Sequence, residues 1–193
     1  MNLKIVDYGA GNIKSIQFAF QRLGVEAVLT NKSKEILAAD KVIFPGVGEA
    51  SSAMSKLRES GLDKVIPQLK QPVLGICLGM QLMCESTEEG NTNGLGIFNA
   101  KVRRFSNQVK VPQIGWNTIH DLKSDLFNHF EDGAYMYLVH SYYVESNDQT
   151  IATTDYEMNY ASALAKDNFF GVQFHPEKSS KAGEQLLKNF LVL

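Results

Sequence analysis

Short apolar runs alternating with stretches of helical period organise the first eighty residues of the chain. Leu3 to Asp7 is an apolar run that predicts a buried strand, halted by the glycine-rich Tyr8-Gly9-Ala10-Gly11-Asn12. Ile13, Ile16, Phe20 and Leu23 then recur on one face of a helix, with Gly24 as its stop. Val25 to Leu29 predicts a second strand, and Ser33 is a candidate cap for a short helix carrying Ile36 and Leu37. Lys41 to Phe44 predicts a third strand running into Pro45-Gly46-Val47-Gly48. Helices are expected over Ala50–Glu59 and Leu62–Leu69, and Pro72 opens a fourth strand that ends in Gly75-Ile76-Cys77-Leu78-Gly79. A further helix is expected from Met80 to Glu85. From about Gly94 the pattern becomes one of short alternating strands, at Lys101–Phe105, Trp116–Ile119, Ala134–Val139, Ile151–Thr154, Ser162–Lys166 and Phe169–Phe174. A final helix over Lys181–Leu191 turns Leu186, Leu187, Phe190 and Leu191 inward. This rhythm predicts an α/β fold: a mostly parallel central sheet with helices on both faces, plus a smaller antiparallel portion folded back onto it. There is no repeat, low-complexity tract or evident linker, so one domain over residues 1–193 is expected.

Composition narrows the function classes. Hydrophobic residues make up 44% and charged residues 21% of the 193 positions, ordinary values for a water-soluble globular chain. A formal net charge of −2 gives no electrostatic case for nucleic acid or an anionic membrane as partner. No apolar run approaches a membrane span, and the first residues lead directly into a strand instead of a signal peptide. The two cysteines, Cys77 and Cys84, would lie two helical turns apart, roughly 10 Å, too far for a disulfide. Reduced thiols point to a cytoplasmic protein.

The chemistry concentrates at Gly75-Ile76-Cys77-Leu78-Gly79. A buried strand, a sharp turn and a helix with a nucleophile at the apex make a nucleophile elbow, carrying a thiol where serine is the commoner residue. Cys77 needs a strained backbone there, and Gly75 and Gly79 remove the Cβ atoms that would collide with it. The N–H groups of the following helix favour the thiolate. The competing interpretation is a buried structural cysteine. Phe174-His175-Pro176-Glu177 closes the last strand, with an imidazole and a carboxylate two residues apart. Glu177 can orient His175, and His175 can face a thiol, the nucleophile–base–orienter arrangement of acyl transfer. An oxyanion hole would draw one N–H from Leu78 and a second from Gly46 or Val47 in the Pro-Gly-Val-Gly turn. His120 and His129 have no neighbours at ligand spacing, so no metal site and no cofactor are expected. Lys101, Arg103, Arg104 and Lys110 form a basic run of the kind found on solvated faces.

Gly-Ile-Cys-Leu-Gly-Met-Gln-Leu (75–82), His-Pro-Glu (175–177) and Pro-Gly-Val-Gly (45–48) together resemble the class I glutamine amidotransferases. The stretches 7–12, Pro112–Asn117 and His140–Tyr143 are similar, within that family, to the glutaminase subunits of imidazole glycerol phosphate synthase. The resemblance runs from Asp7 to the last helix. It implies that Cys77 attacks the side-chain amide of L-glutamine, that His175 shuttles the proton, and that Glu177 holds His175. It further implies that Gln81 contacts glutamine, that Glu89, or Glu88 one residue before, receives the α-ammonium, and that His140, Ser141 and Tyr142 bind the α-carboxylate. Ammonia would pass to a (β/α)8-barrel cyclase partner through a side that includes Asn12, Trp116, Asn117, Tyr137 and Lys178. For Trp116 a core position is the competing interpretation. The chain departs from the family at Gln113-Ile114, where His-Met is frequent, which leaves the contact at 113 open. Rival readings are a glutaminase of the pyridoxal phosphate synthase type, a cysteine hydrolase of the protease and chaperone type, and a non-catalytic binding subunit.

Overall fold

The structure is a computed structural model that describes residues 1–9 and 11–193; Ala10, in the glycine-rich stop after the first strand, lies outside them. The first half alternates as its pattern requires: β1 (Leu3–Val6), α1 (Ile13–Arg22), β2 (Ala27–Thr30), α2 (Ser33–Leu37), β3 (Lys41–Phe44), α3 (Ala50–Ser60), α4 (Leu62–Val65), β4 (Val73–Ile76) and α5 (Leu78–Met83). β1 pairs in parallel with β2 and β3, and β3 pairs in parallel with β4. Ser33 is not a cap: it is the first residue of α2, and Lys32 occupies the cap without a side-chain hydrogen bond. α3 does have a side-chain cap, because Glu49 accepts from the N–H groups of Ser51 and Ser52. The helix expected through Leu69 stops at Val65 and tightens into a 3-10 turn at Ile66–Gln68, where Pro67 has no N–H for an α-helical bond.

The second half departs further. Helix α5 ends at Met83 instead of reaching Glu85, and Cys84 begins β5 (Cys84–Thr87). β5 is held open by pairing on both sides, antiparallel to β6 (Thr92–Asn93) and parallel to β7 (Phe98–Arg104). β8 (Gln113–Ile119) and β9 (Ala134–His140) form a separate antiparallel hairpin in which Trp116 lies opposite Tyr137. β10 (Tyr142–Val144), β11 (Thr150–Asp155), β12 (Asn159–Lys166) and β13 (Phe169–Val172) complete the strands, and α6 (Ser180–Val192) closes the chain. Among the described residues the main sheet has eleven strands in the order β2-β1-β3-β4-β13-β12-β10-β7-β5-β6, with β11 on β12. β13 is not simply part of the antiparallel portion. It runs antiparallel to β12 but parallel to β4, and so joins the two parts.

Two apolar layers sandwich the sheet. One packs Met54 and Leu57 of α3, Leu62 of α4 and Met80, Leu82 and Met83 of α5 against Val42, Phe44 and Val73. The other packs Ile16 and Phe20 of α1 and Leu186, Leu187 and Phe190 of α6 against Ile5, Ile43, Leu74 and Val172. Because β4 lies between β3 and β13, and all three are parallel, their carboxyl ends deliver residues 45–48, Cys77 and residues 173–177 to one place. Among the described residues, no helix is long and apolar enough to cross a membrane.

Candidate active site

Cys77 stands between β4 and α5 with φ 53° and ψ −112°, a backbone conformation that a side-chain-bearing residue rarely adopts. What holds it there is close backbone packing. A Cβ on Gly79 would run into the carbonyl oxygen of Phe44, and one on Gly46 would lie 2.6 Å from the Gly79 nitrogen. The turn after β3 and the first residues of α5 therefore touch backbone to backbone, which only glycine permits. Tyr8 reinforces this contact. Its buried hydroxyl donates to the carbonyl of Pro45 at 2.7 Å, and burial followed by the negative charge of Cys77 pushes its pKa up.

β13 continues into Gln173, Phe174 and His175. The register that pairs Val172 with Ile76 continues in a hydrogen bond from the Cys77 N–H to the Val172 carbonyl, 2.8 Å. His175 Nδ1 lies 2.9 Å from Glu177 Oε1, and the two side chains are 4% and 1% exposed. Nδ1–H donating to the carboxylate leaves Nε2 for a reacting partner. Burial alone would push the imidazole down. Hydrogen bonds to Cys77 and Glu177 and the negative charge of both outweigh it, carrying His175 up to about 10. Around the sulfur stand the Val139 carbonyl at 3.8 Å and the amide nitrogen of Gln173 at 3.7 Å.

In front of these groups lies a pocket of about 290 Å³, lined among others by Val47, Cys77, Leu78, Gln81, Glu89, His140, Ser141, Tyr142, His175 and Lys178. Gly46 lies buried beneath it and Glu177 behind His175. Glu89 accepts from the Ala50 N–H at 2.9 Å, and burial raises its carboxyl pKa. Glu88 is directed away, bonded to the Arg104 N–H and the Arg103 guanidinium, so the pocket has Glu89 and not Glu88 on its wall. His140 Nδ1 donates to the Tyr142 carbonyl at 2.7 Å, and the Tyr160 hydroxyl bridges His140 Nε2 and the side chain of Gln113. Position 113 thus has a structural contact of its own, buried in the wall behind the pocket.

The assembly of a strained thiol, an imidazole, a buried carboxylate and an adjoining pocket can cleave an amide by acyl transfer. Similarity in sequence agrees with that chemistry. The profile of the glutamine amidotransferase class-I family matches residues 4–193. The chain belongs to this family. Among its curated relatives is the imidazole glycerol phosphate synthase subunit HisH of Bacteroides fragilis, 56% identical over the whole of both chains. The same subunit of Haemophilus influenzae strain Rd is 46% identical, over 99% of this chain and 97% of the relative. In fold the chain is similar to a solved glutamine amidotransferase, with a TM-score of 0.76 and 18% identity over 98% and 97% of the two chains. It is also similar to a chain in PurLQS from Thermotoga maritima, with a TM-score of 0.74 and 18% identity over 100% and 99%.

One flank of this amidotransferase carries an aromatic patch. Trp116 is 52% exposed, so the core interpretation fails; its ring meets Tyr137 edge-on at 6.0 Å. Lys178 Nζ stands 5.9 Å from the centre of the Tyr137 ring. Asn12 is exposed at the start of α1. Asn117 is not part of the patch in the same sense, since its side chain bonds the Asp155 carbonyl and the Thr118 N–H. His120 pairs with Asp132, and Arg103 pairs with Glu88 and Glu145 on the exposed face. Cys84 is buried beside the Met80 carbonyl, and burial pushes its thiol up. Two residues escaped the sequence reading. Gln173 and Ser179 are both fully buried polar side chains next to His175, and a glutamine inside an apolar strand end was the available signal for the first.

Proposed function

We propose that this amidotransferase hydrolyses L-glutamine to glutamate and ammonia at Cys77, as the glutaminase subunit of imidazole glycerol phosphate synthase in histidine biosynthesis. The observation that carries the catalytic assignment is the buried His175–Glu177 pair beside a thiol held at φ 53° on the rim of the pocket. Cys77 Sγ attacks the side-chain carbonyl carbon, and N–H groups of Leu78 and of Gly46 or Val47 stabilise the oxyanion. His175 then protonates the departing nitrogen, the C–N bond breaks, and ammonia leaves a glutamyl thioester. Water, deprotonated by His175, cleaves the thioester to glutamate and restores the thiol. Glu177 keeps His175 in the productive tautomer. Glu89 receives the substrate α-ammonium, Gln81 contacts the substrate, and His140, Ser141 and Tyr142 hold the α-carboxylate.

The partner is a (β/α)8-barrel cyclase bound as a heterodimer across Asn12, Trp116, Asn117, Tyr137 and Lys178. Ammonia delivered through a dry path stays unprotonated and nucleophilic. The whole chain acts as one domain, in the cytoplasm, without a cofactor. The isolated chain is a poor glutaminase, because the exposed Val47-Gly48 turn can hold its N–H away from the oxyanion until the partner is bound. Glutamate release, measured with and without the cyclase and its nucleotide ligand, tests this reading. Slow release alone and a steep rise in the ternary mixture are expected. Release that ignores the cyclase would remove the pathway assignment and leave the chemistry. No release in a complex shown to form would leave a binding subunit.

A further inference from the structure

The hydrogen bonds around Gln81 run in one direction only, and they end on the nucleophile. A backbone carbonyl can accept but never donate, so the Gln81 side-chain atom 3.1 Å from the Tyr142 carbonyl is the amide nitrogen. The same nitrogen lies 2.9 Å from the side-chain amide of Gln173. Its second proton requires an acceptor there, so Gln173 turns its oxygen to Gln81. The Gln173 nitrogen then faces Cys77 Sγ, 3.7 Å away. Both glutamines are almost wholly enclosed, at 4% and 0% exposure, so water does not compete for these contacts. The Tyr142 carbonyl that starts the chain is itself held by His140 Nδ1 at 2.7 Å.

We propose that Gln173 is a further catalytic residue, whose side-chain N–H donates to Cys77 Sγ and stabilises the thiolate before attack on glutamine. The need for such a donor follows from the surroundings of the sulfur. The Val139 carbonyl, 3.8 Å away on the β9 side, accepts from a neutral thiol but repels a thiolate. His175 is the cationic partner, and Glu177 sits behind it. Tyr8 directs its hydroxyl to Pro45, not to the sulfur. Gln173 is the neutral donor that stays in place when His175 gives its proton to the leaving nitrogen. It reaches the sulfur because the β13 register that sets Val172 beside Ile76 brings Gln173 beside Cys77.

The inference rests on Cys77 as the nucleophile, and the test separates the two. The full chain is alkylated with iodoacetamide across a pH series, and the Cys77 and Cys84 peptides are quantified by mass spectrometry. Gln173→Met keeps the volume without the donor, and Gln173→Glu keeps the acceptor for Gln81 but faces the sulfur with an oxygen. Circular dichroism and thermal unfolding establish that each variant is folded. Wild-type Cys77 should react much faster than buried Cys84 near neutral pH. Gln173→Met should move the Cys77 profile up by about one pH unit and slow neutral-pH alkylation about tenfold, with Gln173→Glu slower again. In the cyclase complex kcat should fall with KM nearly unchanged. Cys77 and Cys84 of the wild type reacting alike would overturn the nucleophile itself. A fast Cys77 whose profile is the same in folded variants, or a rise in KM alone, would overturn the role of Gln173. If Gln173→Met does not fold, the ranking of wild type over Gln173→Glu decides.

Discussion

His140 shows how closely the wall of the pocket controls a single charge. Burial holds its imidazole down at about 4 against the ordinary 6.5; the bond to the Tyr142 carbonyl pulls the other way, and His175 adds repulsion. A depressed value means that the folded state binds fewer protons than the unfolded chain between these limits. The stability this residue contributes is complete above 6.5 and is lost as pH falls through about 4. Urea midpoints measured across that range should fall more steeply for the wild type than for His140→Gln; parallel curves would contradict it. For Glu177 the proposed role predicts an effect on catalysis instead. Glu177→Gln removes the charge that balances an imidazolium and should lower kcat of the complex by about 100-fold or more, with KM little changed, as read by glutamate release. At this scale Cys77, His175 and Glu177 were legible because each sits in a short local pattern. Gln173 was passed over: its function depends on a neighbour 96 positions away and on the pairing of two strands, neither of which leaves a periodic trace.

Among the elements, the strand–turn–helix of β4 and α5 was legible from glycine spacing, and its tightness is open to measurement. Gly79→Ala puts a methyl group against the Phe44 carbonyl, a backbone atom that cannot rotate away. It should destabilise the chain by about 1–3 kcal/mol in urea unfolding, and an unchanged midpoint would contradict the close approach. The alternating first half also followed its periodicity, since each strand and helix there buries its own face. The second half was harder. β5 begins where helical residues were still expected, because Cys84 to Thr87 take up β7 and β6 as ladder partners and helix propensity cannot compete. β13 has the same apolar texture whether its neighbours run with it or against it, and only the topology shows that it has one of each.

Across the whole molecule, one side combines the mouth of the pocket with the exposed ring of Trp116. Truncation to Trp116→Ala should weaken binding of the cyclase by about 2 kcal/mol, roughly 30-fold in Kd, in a calorimetric titration. A change of less than about threefold, well under 1 kcal/mol, would move the energetic centre of the interface elsewhere. The register of the β8–β9 hairpin, which makes Trp116 and Tyr137 a cross-strand pair, was beyond sequence reasoning because fourteen residues separate its strands at their near ends. That hairpin is tied to the chemistry by a small buried hydroxyl. The N–H of His175 donates to the Tyr137 carbonyl at 2.9 Å, while Ser179 Oγ accepts from the Tyr137 N–H at 3.0 Å and donates to the His175 carbonyl. Both backbone groups of His175 are thereby linked to Tyr137, the N–H directly and the carbonyl through Ser179, which shares it with the Lys178 N–H. Two anchors suppress pivoting where a single one would act as a swivel, so the backbone of His175 takes its bearing from β9 as well as from the loop that carries it, while Glu177 of that loop holds the ring. A displacement of the Tyr137 backbone would therefore reach the His175 backbone by two routes, one direct and one through a single hydroxyl.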